Sequence, residues 1–429
     1  MRGFIAQTIT LAGFSLLPFA VAGPKAEAPI LAATGLALLY AAIREGTWRG
    51  LLANRLLWLL FGLVAFGLAT APFAVVPHDA LTLAGSLAGM FFAAVVVIDT
   101  AGRIDEPVRQ AFAATAGAGF AFGCLLLLVE FFGGMPISHF LHYQGAKGPP
   151  LDIEMLNPAL SVLAILVWPF AAMGQRLLSV VALGVATVLI LKGEMVTAQI
   201  ALGLGGVVFV LVQWFGARLV KFVGVLAVLF IAAAPVIDQM IPFDRLMPQV
   251  AGMRTSVAHR LCIWQFVGAR IAEKPLLGWG LDSSRSIPGG EVDCVEDGPS
   301  LSLHPHDAAL QVWLELGVAG AFALAAVVAI AFRAASRLPP GLPMAGAAAT
   351  VTAALVLASL SYGIWQNWWI GTLGLVALVT RAAMPPMAGA APAKAAPKKK
   401  PPTPGPAAAG PQALAKIPTA RVPAALAKK

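Results

Sequence analysis

Charge is what this sequence lacks most. Only 11% of its 429 residues are Asp, Glu, Lys or Arg, and 59% are hydrophobic; a soluble domain carries about a quarter charged residues. The shortage excludes a chain built for water. Apolar runs near the ~20 residues needed to cross a bilayer recur from end to end, which leaves a polytopic helical membrane protein. Cysteine is also scarce, at three residues. Cys124 falls in an apolar run and reads as a small core residue, while Cys262 and Cys294 share one polar loop. A disulfide would pin one part of that loop to the other; two free thiols are the alternative. No Cys or carboxylate spacing around His139 and His142 supports a zinc site, so neither metal nor cofactor is expected. The first apolar run, "FIAQTITLAGFSLLPFAVAG", does not read as a cleaved signal, because it is long enough to span and further spans follow.

What charge there is has a pattern. The formal net charge of +9 would suit nucleic acid, but eight of the 29 basic residues lie in the last 36 positions and most others flank apolar runs. Twelve spans are predicted, at 4–22, 29–43, 56–76, 80–99, 108–131, 156–173, 176–191, 197–214, 217–235, 308–332, 344–362 and 364–381. The second is short, which leaves the count open by one. Arg44, Arg49, Arg55, Arg103, Arg109, Arg176, Arg218, Lys221, Arg333, Arg337 and Arg381 all fall in even-numbered loops or after the last span. Short odd-numbered loops hold only Lys25, Lys147 and Lys192. By the positive-inside rule both termini are expected in the cytoplasm, and the long hydrophilic stretch at about 236–307 is expected on the outer face. The chain thus divides into a membrane domain, 1–381, and a Pro/Ala/Lys-rich tail, 382–429, whose composition predicts disorder.

Within the long loop, "TSVAHRLCIWQFVGARIAEKP" reads as a helix with Thr255 or Ser256 as its cap and Pro275 as its stop. Arg260, Trp264, Val267 and Ile271 share one stripe. Arg260 reads either as a snorkelled interfacial cation or as a site residue. The following "PLLGWGLDSSRSIPGG" pairs turn-forming glycines, among them Gly278 and Gly280, with Arg285. Backbone N–H groups and a guanidinium fork both suit phosphate oxygens, although Gly-rich stretches are also common connectors. In "HPHDAALQVWLELG", Asp307, Gln311 and Glu315 fall at i, i+4, i+8 and make a polar stripe on an otherwise apolar helix. Groups at that depth face a cavity or a partner, or hold helices together. His306 stands one residue before the stripe, with an unperturbed pKa that suits a general base; an interfacial capping histidine is the plainer reading. His304, before Pro305, reads as a loop residue. Lys192, in "LKGEMVTAQ", reads as an extra phosphate contact or as half of a pair with Glu194.

These motifs together resemble the O-antigen ligase and polymerase superfamily of bacterial inner-membrane glycosyltransferases. The likeness rests on "HRLCIWQFVGARIAEKPLLGWGLDSSR" followed by "HPHDAALQVWLELGVAG", about residues 256–320, and on the span pattern over 1–381. It implies an all-α, GT-C-like membrane fold of about twelve helices with one large periplasmic loop. It also implies metal-independent transfer, on the periplasmic face, of a glycan from undecaprenyl diphosphate to a sugar hydroxyl of lipid A-core, in the inner membrane of a Gram-negative cell. The matching positions are His306 as general base and Arg260 and Arg285 on the diphosphate, whose growing negative charge in the transition state they would stabilise. Lys192, Trp264, Gly278, Gly280, Asp307, Gln311 and Glu315 are the expected substrate-binding residues. The sequence departs from the family pattern at Asp307, where Asn is usual, before the eighth span, where Lys192 is the nearest cation, and at Asn157–Pro158 in place of an Asn–Arg pair. A polymerase, with a second lipid-linked glycan as acceptor, is the alternative, although one dominant loop favours the ligase. A lipid-linked glycan transporter is a third reading; the rim placement of the polar groups and the absence of a visible repeat weigh against it.

Overall fold

The computed structural model describes residues 1–142, 152–173, 176–250, 255–295, 298–301 and 303–385. Lys147, the side chains of the predicted caps Thr255 and Ser256, and the tail from 386 onward lie outside the described residues. Among those described, fifteen α-helices supply nearly all regular structure. They are α1 (Arg2–Ala22), α2 (Glu27–Arg44), α3 (Arg55–Thr70), α4 (Pro77–Ala101), α5 (Glu106–Gly133), α6 (Pro136–His142), α7 (Asn157–Met173) and α8 (Arg176–Lys192). The remainder are α9 (Val196–Phe215), α10 (Ala217–Met240), α11 (Phe243–Val250), α12 (Thr255–Glu273), α13 (Ala308–Ala335), α14 (Leu342–Leu360) and α15 (Asn367–Ala383). Strands β1 (Asp293–Val295) and β2 (Gly298–Pro299) pair antiparallel, with Asp293 opposite Pro299.

Each predicted span coincides with a helix. Ten helical segments are long and apolar enough to cross a membrane, so the chain is an all-α polytopic membrane protein. The seventh and twelfth predicted spans, α8 and α15, have 17 residues each, or about 26 Å at 1.5 Å per residue, against ~30 Å of hydrocarbon. The second span is longer than its apolar run suggested. A 3-10 turn opening on Pro24 extends α2 to a 21-residue segment, Pro24–Arg44, because proline at the first position supplies the helical φ and lacks only a donor that has no partner there. The helix predicted at the start of the long loop is α12, and it ends at Glu273 before Pro275.

Small residues set the helix spacing, as they do where no water drives helices together. A methyl group on Gly119 would overlap the Phe14 backbone, and one on Gly123 the Leu17 side chain, so α5 lies directly against α1. Helix α7 occupies the middle of the bundle: every residue from Ala159 to Ala171 is buried. Its neighbours α9 and α14 also pack on each other. The turns after α8 and α14 and the start of α13 meet at one end of the bundle, which is where the polar loop residues converge.

Candidate active site

Helix α13 breaks at Gly317, whose φ of 57° and ψ of −148° are not helical. A break strands main-chain groups, and here a second segment takes them up. Trp279 N–H donates to the Leu314 carbonyl (2.8 Å) and Gly280 N–H to that of Glu315 (2.9 Å), while Val318 N–H donates to the Pro275 carbonyl (3.0 Å). On the other side Val75 N–H donates to the Trp279 carbonyl (3.2 Å). The "PLLGWG" segment is therefore a wedge between α13 and the turn that follows α3. Its glycines fit that role: a Cβ on Gly278 would overlap the Glu315 backbone, one on Gly280 the Ala74 backbone, and one on Gly317 the Leu276 carbonyl. All three have positive φ. Gly317→Ala is accordingly expected to cost more than the ~1–3 kcal/mol of backbone strain alone. An unchanged melting temperature of the purified variant in detergent would contradict the wedge.

The polar stripe on α13 is turned inward. Glu315 is fully buried and accepts four hydrogen bonds: from Asp282 N–H (2.7 Å), Ser284 Oγ (2.5 Å), Gln311 Nε2 (3.1 Å) and Trp365 Nε1 (2.7 Å). Gln311 Oε1 accepts from Ile364 N–H (2.9 Å). Asp307 is the N-cap of α13 and accepts from Ala309 N–H (2.7 Å) and Leu310 N–H (2.9 Å). Burial pushes its pKa up to about 6, against the pull of those two amides. Trp264 Nε1 donates to the Pro305 carbonyl (2.9 Å), tying α12 to the "HPH" turn.

That turn gives His306 an uncommon backbone, φ 56°. Its N–H donates to His304 Nδ1 (3.2 Å), and the two rings meet edge-on with centroids 4.4 Å apart. The His306 Nδ1 lies 2.7 Å from the Ser361 carbonyl. A carbonyl only accepts, so Nδ1 carries the proton and Nε2 holds the lone pair. No protein group among the described residues bonds Nε2. Burial, and then the charges of Arg260 and His259, lower the pKa of His306 below its ordinary value, against a rise from the Ser361 carbonyl. The imidazole is thus neutral at pH 7, with its basic nitrogen free. His304 is buried, and its pKa is pushed down to about 3 by that burial and by the charges of His306 and Arg285.

Five residues of the turn between α14 and α15, "SYGIW", hold the whole motif from the far side of the chain. Ser361 takes His306, and Gly363 leaves room for the His304 ring, which a Cβ would approach to 2.9 Å. Ile364 takes Gln311 and Trp365 takes Glu315. The turn is itself anchored: Ser361 Oγ donates to Thr197 Oγ1 (2.9 Å), and the Tyr362 hydroxyl is 2.9 Å from Ser161 Oγ. Sequence reasoning placed this stretch at the ends of two spans and gave it no role. Its signal is a run of polar, glycine and aromatic residues interrupting two apolar helices.

The three predicted cations differ in setting. Arg260, on α12, is half-buried, and burial lowers its pKa; it lies close enough to His306 to depress that group's pKa. Arg285 is 47% exposed, pairs with Asp282 (3.0 Å) and acts in the same way on His304. Lys192 is exposed at the end of α8 and forms no ion pair with Glu194 among the described residues. No hydrogen bond or ion pair of the described residues links Lys192 to the His306 cluster. Beside Arg285 an open cavity of about 560 Å³ is lined by Ser286, Glu291, Asp293 and Leu301.

Cys262 and Cys294 form a disulfide with their Cα atoms 6.3 Å apart, joining α12 to β1 across 32 residues. Closing a loop of that size is worth about 3–4 kcal/mol on the chain-entropy account. Maleimide labelling of the denatured, unreduced protein is expected to modify Cys124 alone, and all three cysteines after reduction. Three labelled thiols before reduction would refute the bond.

Residues 180–325, from α8 through the break in α13, match the family model for O-antigen ligase. About a third of the chain is thus similar to the O-antigen ligase family. Three provisionally named polysaccharide ligases are similar to it. That of Rickettsia conorii is 34% identical over 181 residues, 41% of this chain and 44% of the relative. That of Rickettsia felis is 29% identical over 240 residues, 53% and 58%, and that of Rickettsia prowazekii is 27% identical over 226 residues, 51% and 56%. The chain spans about half the length of these curated relatives. The O-antigen ligase match includes Arg260, Arg285 and His306 but stops before the "SYGIW" turn.

Proposed function

We propose that this protein acts as an O-antigen ligase, transferring a glycan from undecaprenyl diphosphate to a sugar hydroxyl of lipid A-core. The observation that carries the reading is the His306 tautomer, with Nδ1–H committed to the Ser361 carbonyl and Nε2 free. In the proposed step Nε2 takes the acceptor hydroxyl's proton, and the acceptor oxygen forms a bond to the anomeric carbon. The bond from that carbon to the diphosphate oxygen breaks, and the lipid diphosphate leaves with the electron pair. Arg260 and Arg285 stabilise the charge it gains. Lys192 is an outlying phosphate contact. Gly278, Gly280, Trp264, Asp307, Gln311 and Glu315 serve the substrate by shaping and fixing the site around His306. Ser286, Glu291 and Asp293, acceptor-rich groups around the cavity, suit sugar hydroxyls.

The disulfide supports placing the long loop in an oxidising compartment. With the arginine asymmetry, this favours a periplasmic active site, an inner membrane location and cytoplasmic termini. The test is deletion of the gene in its host with inspection of lipopolysaccharide and lipid-linked glycans. Ligase activity predicts uncapped lipid A-core together with long chains accumulating on undecaprenyl diphosphate. Caps of a single repeat would instead identify a polymerase, and intact long-chain lipopolysaccharide would sink both readings.

A further inference from the structure

We infer that the end of the bundle opposite His306 holds a binding site for an anionic phospholipid. An apolar groove of about 430 Å³ runs between α3, α4, α13, α14 and α15. Its lining runs from Ile364 and Trp365, beside the candidate active site, to the other end of the bundle. Leu56 and Leu60 come from the first turns of α3, whose other end meets Gly280, and Leu338, Arg381 and Met384 come from the ends of α13 and α15. The walls suit an acyl chain. What selects among lipids is the charge at the groove's end away from His306.

Arg381 lines that end. Its Nη2 donates to the Gly102 carbonyl (3.2 Å), but its Nη1 is buried and has no hydrogen-bond partner. Leaving a charged donor buried and unmade is expensive, so the geometry calls for an acceptor from outside the chain. Beneath it lies a second cation. Arg109 is 6% exposed and donates to the Ala382, Met384 and Ile104 carbonyls, which are neutral. Among the described residues the carboxylate paired with either arginine is Glu106, 3.4 Å from Arg109 Nε. Two guanidiniums, one buried and one half-buried, with one carboxylate lack an anion. The rim adds more positive charge: Arg55, next to Leu56, and Arg333 and Arg337, just before Leu338, are exposed and in no ion pair among the described residues. A phosphodiester headgroup seated on Arg381, with its chain along the groove, satisfies both the apolar walls and the stranded donor. Basic pockets between membrane helices take anionic headgroups on this physical ground. A prenyl chain whose diphosphate sat near His306 would bring nothing anionic to this end. The inference stands apart from the glycosyl-transfer reading, since the cations it rests on take no part in the His306 cluster, and Ile364 and Trp365 line only the other end of the groove.

Native mass spectrometry of the full-length protein, released from nanodiscs of equal phosphatidylethanolamine and phosphatidylglycerol, tests the site. At about five-fold per engaged arginine, retained lipid is expected to be enriched in phosphatidylglycerol by about ten-fold or more. Arg381→Gln should abolish the enrichment. Ala354→Phe, which fills the groove and leaves the cations in place, should abolish the retained lipid itself. If Arg381→Gln fails to fold, the exposed pair Arg55→Gln and Arg337→Gln should still reduce the enrichment by several-fold. Equal retention of the two phospholipids, enrichment unchanged in every variant that folds, or displacement of the retained lipid by undecaprenyl phosphate would each overturn the proposal.

Discussion

Replacing His306 with alanine is expected to lower glycan transfer by about 10²–10⁴-fold, the usual contribution of a general base, while the protein still folds. The separation follows from what the side chain does in the structure. His306 is half-buried, and its side-chain hydrogen bond is one contact to the Ser361 carbonyl; the packing of α13 does not depend on it. His306→Gln should be as inactive as alanine, because an amide nitrogen is no base. In the wild type the rate should depend on pH through the same nitrogen. Burial and Arg260 lower the histidine's pKa, so the free base persists below the ordinary value of about 6.5. Activity should therefore stay level as pH falls through 6.5 and decline only below it. A decline centred at or above 6.5 would mean that another group limits the reaction. Lipopolysaccharide from the native host, run on a gel, gives the first readout. Full O-antigen ladders in a stably expressed His306→Ala strain would remove His306 from the mechanism.

Glu315→Ala is expected to give the opposite pattern, a loss of folded protein with activity lost as a consequence. The substitution would strand an amide of the loop, the Ser284 hydroxyl, the Gln311 amide and the Trp365 indole in a site from which solvent is excluded. Each unmade buried hydrogen bond costs about 1–3 kcal/mol, more when the missing partner is charged. Local relaxation recovers part of the sum, leaving a loss of about 3–5 kcal/mol. That is a large fraction of a typical domain's stability. Glu315→Gln keeps one acceptor and replaces the other with a donor facing donors, so it should fall between wild type and alanine. Thermal unfolding in detergent measures both. A Glu315→Ala protein that melts with the wild type yet does not transfer glycan would move Glu315 into the chemistry. The order expected is Glu315→Ala well below Glu315→Gln, with His306→Ala at the wild-type temperature.

The apolar segments, the length of α12 and the arginine-rich even loops were all readable in the sequence, because each is a local property of composition and spacing. The motif block also joined Arg260 and Arg285 to the "HPH" turn; in the structure Arg260 lies near His306 and Arg285 near His304. Other assignments needed the fold. Gly278 and Gly280 look like a phosphate cradle in the sequence, and the structure shows the wedge that completes a broken α13. Asp307, Gln311 and Glu315 look like a stripe offered to a partner, but Asp307 caps its own helix, and the bonds of Gln311 and Glu315 run to the loop and to residues 364–365 of the same chain. Arg109 and Arg381 read as loop charges, yet both are drawn in to cap carbonyls at helix ends. Most of what holds His306 is main chain: the Ser361 carbonyl fixes its tautomer, and the Pro305 carbonyl anchors its turn to Trp264. Every residue carries a carbonyl, so its identity at position 361 leaves no trace of the role. Side-chain type and period are written along the chain. Which main-chain group meets them from 55 residues away is decided only when the helices pack.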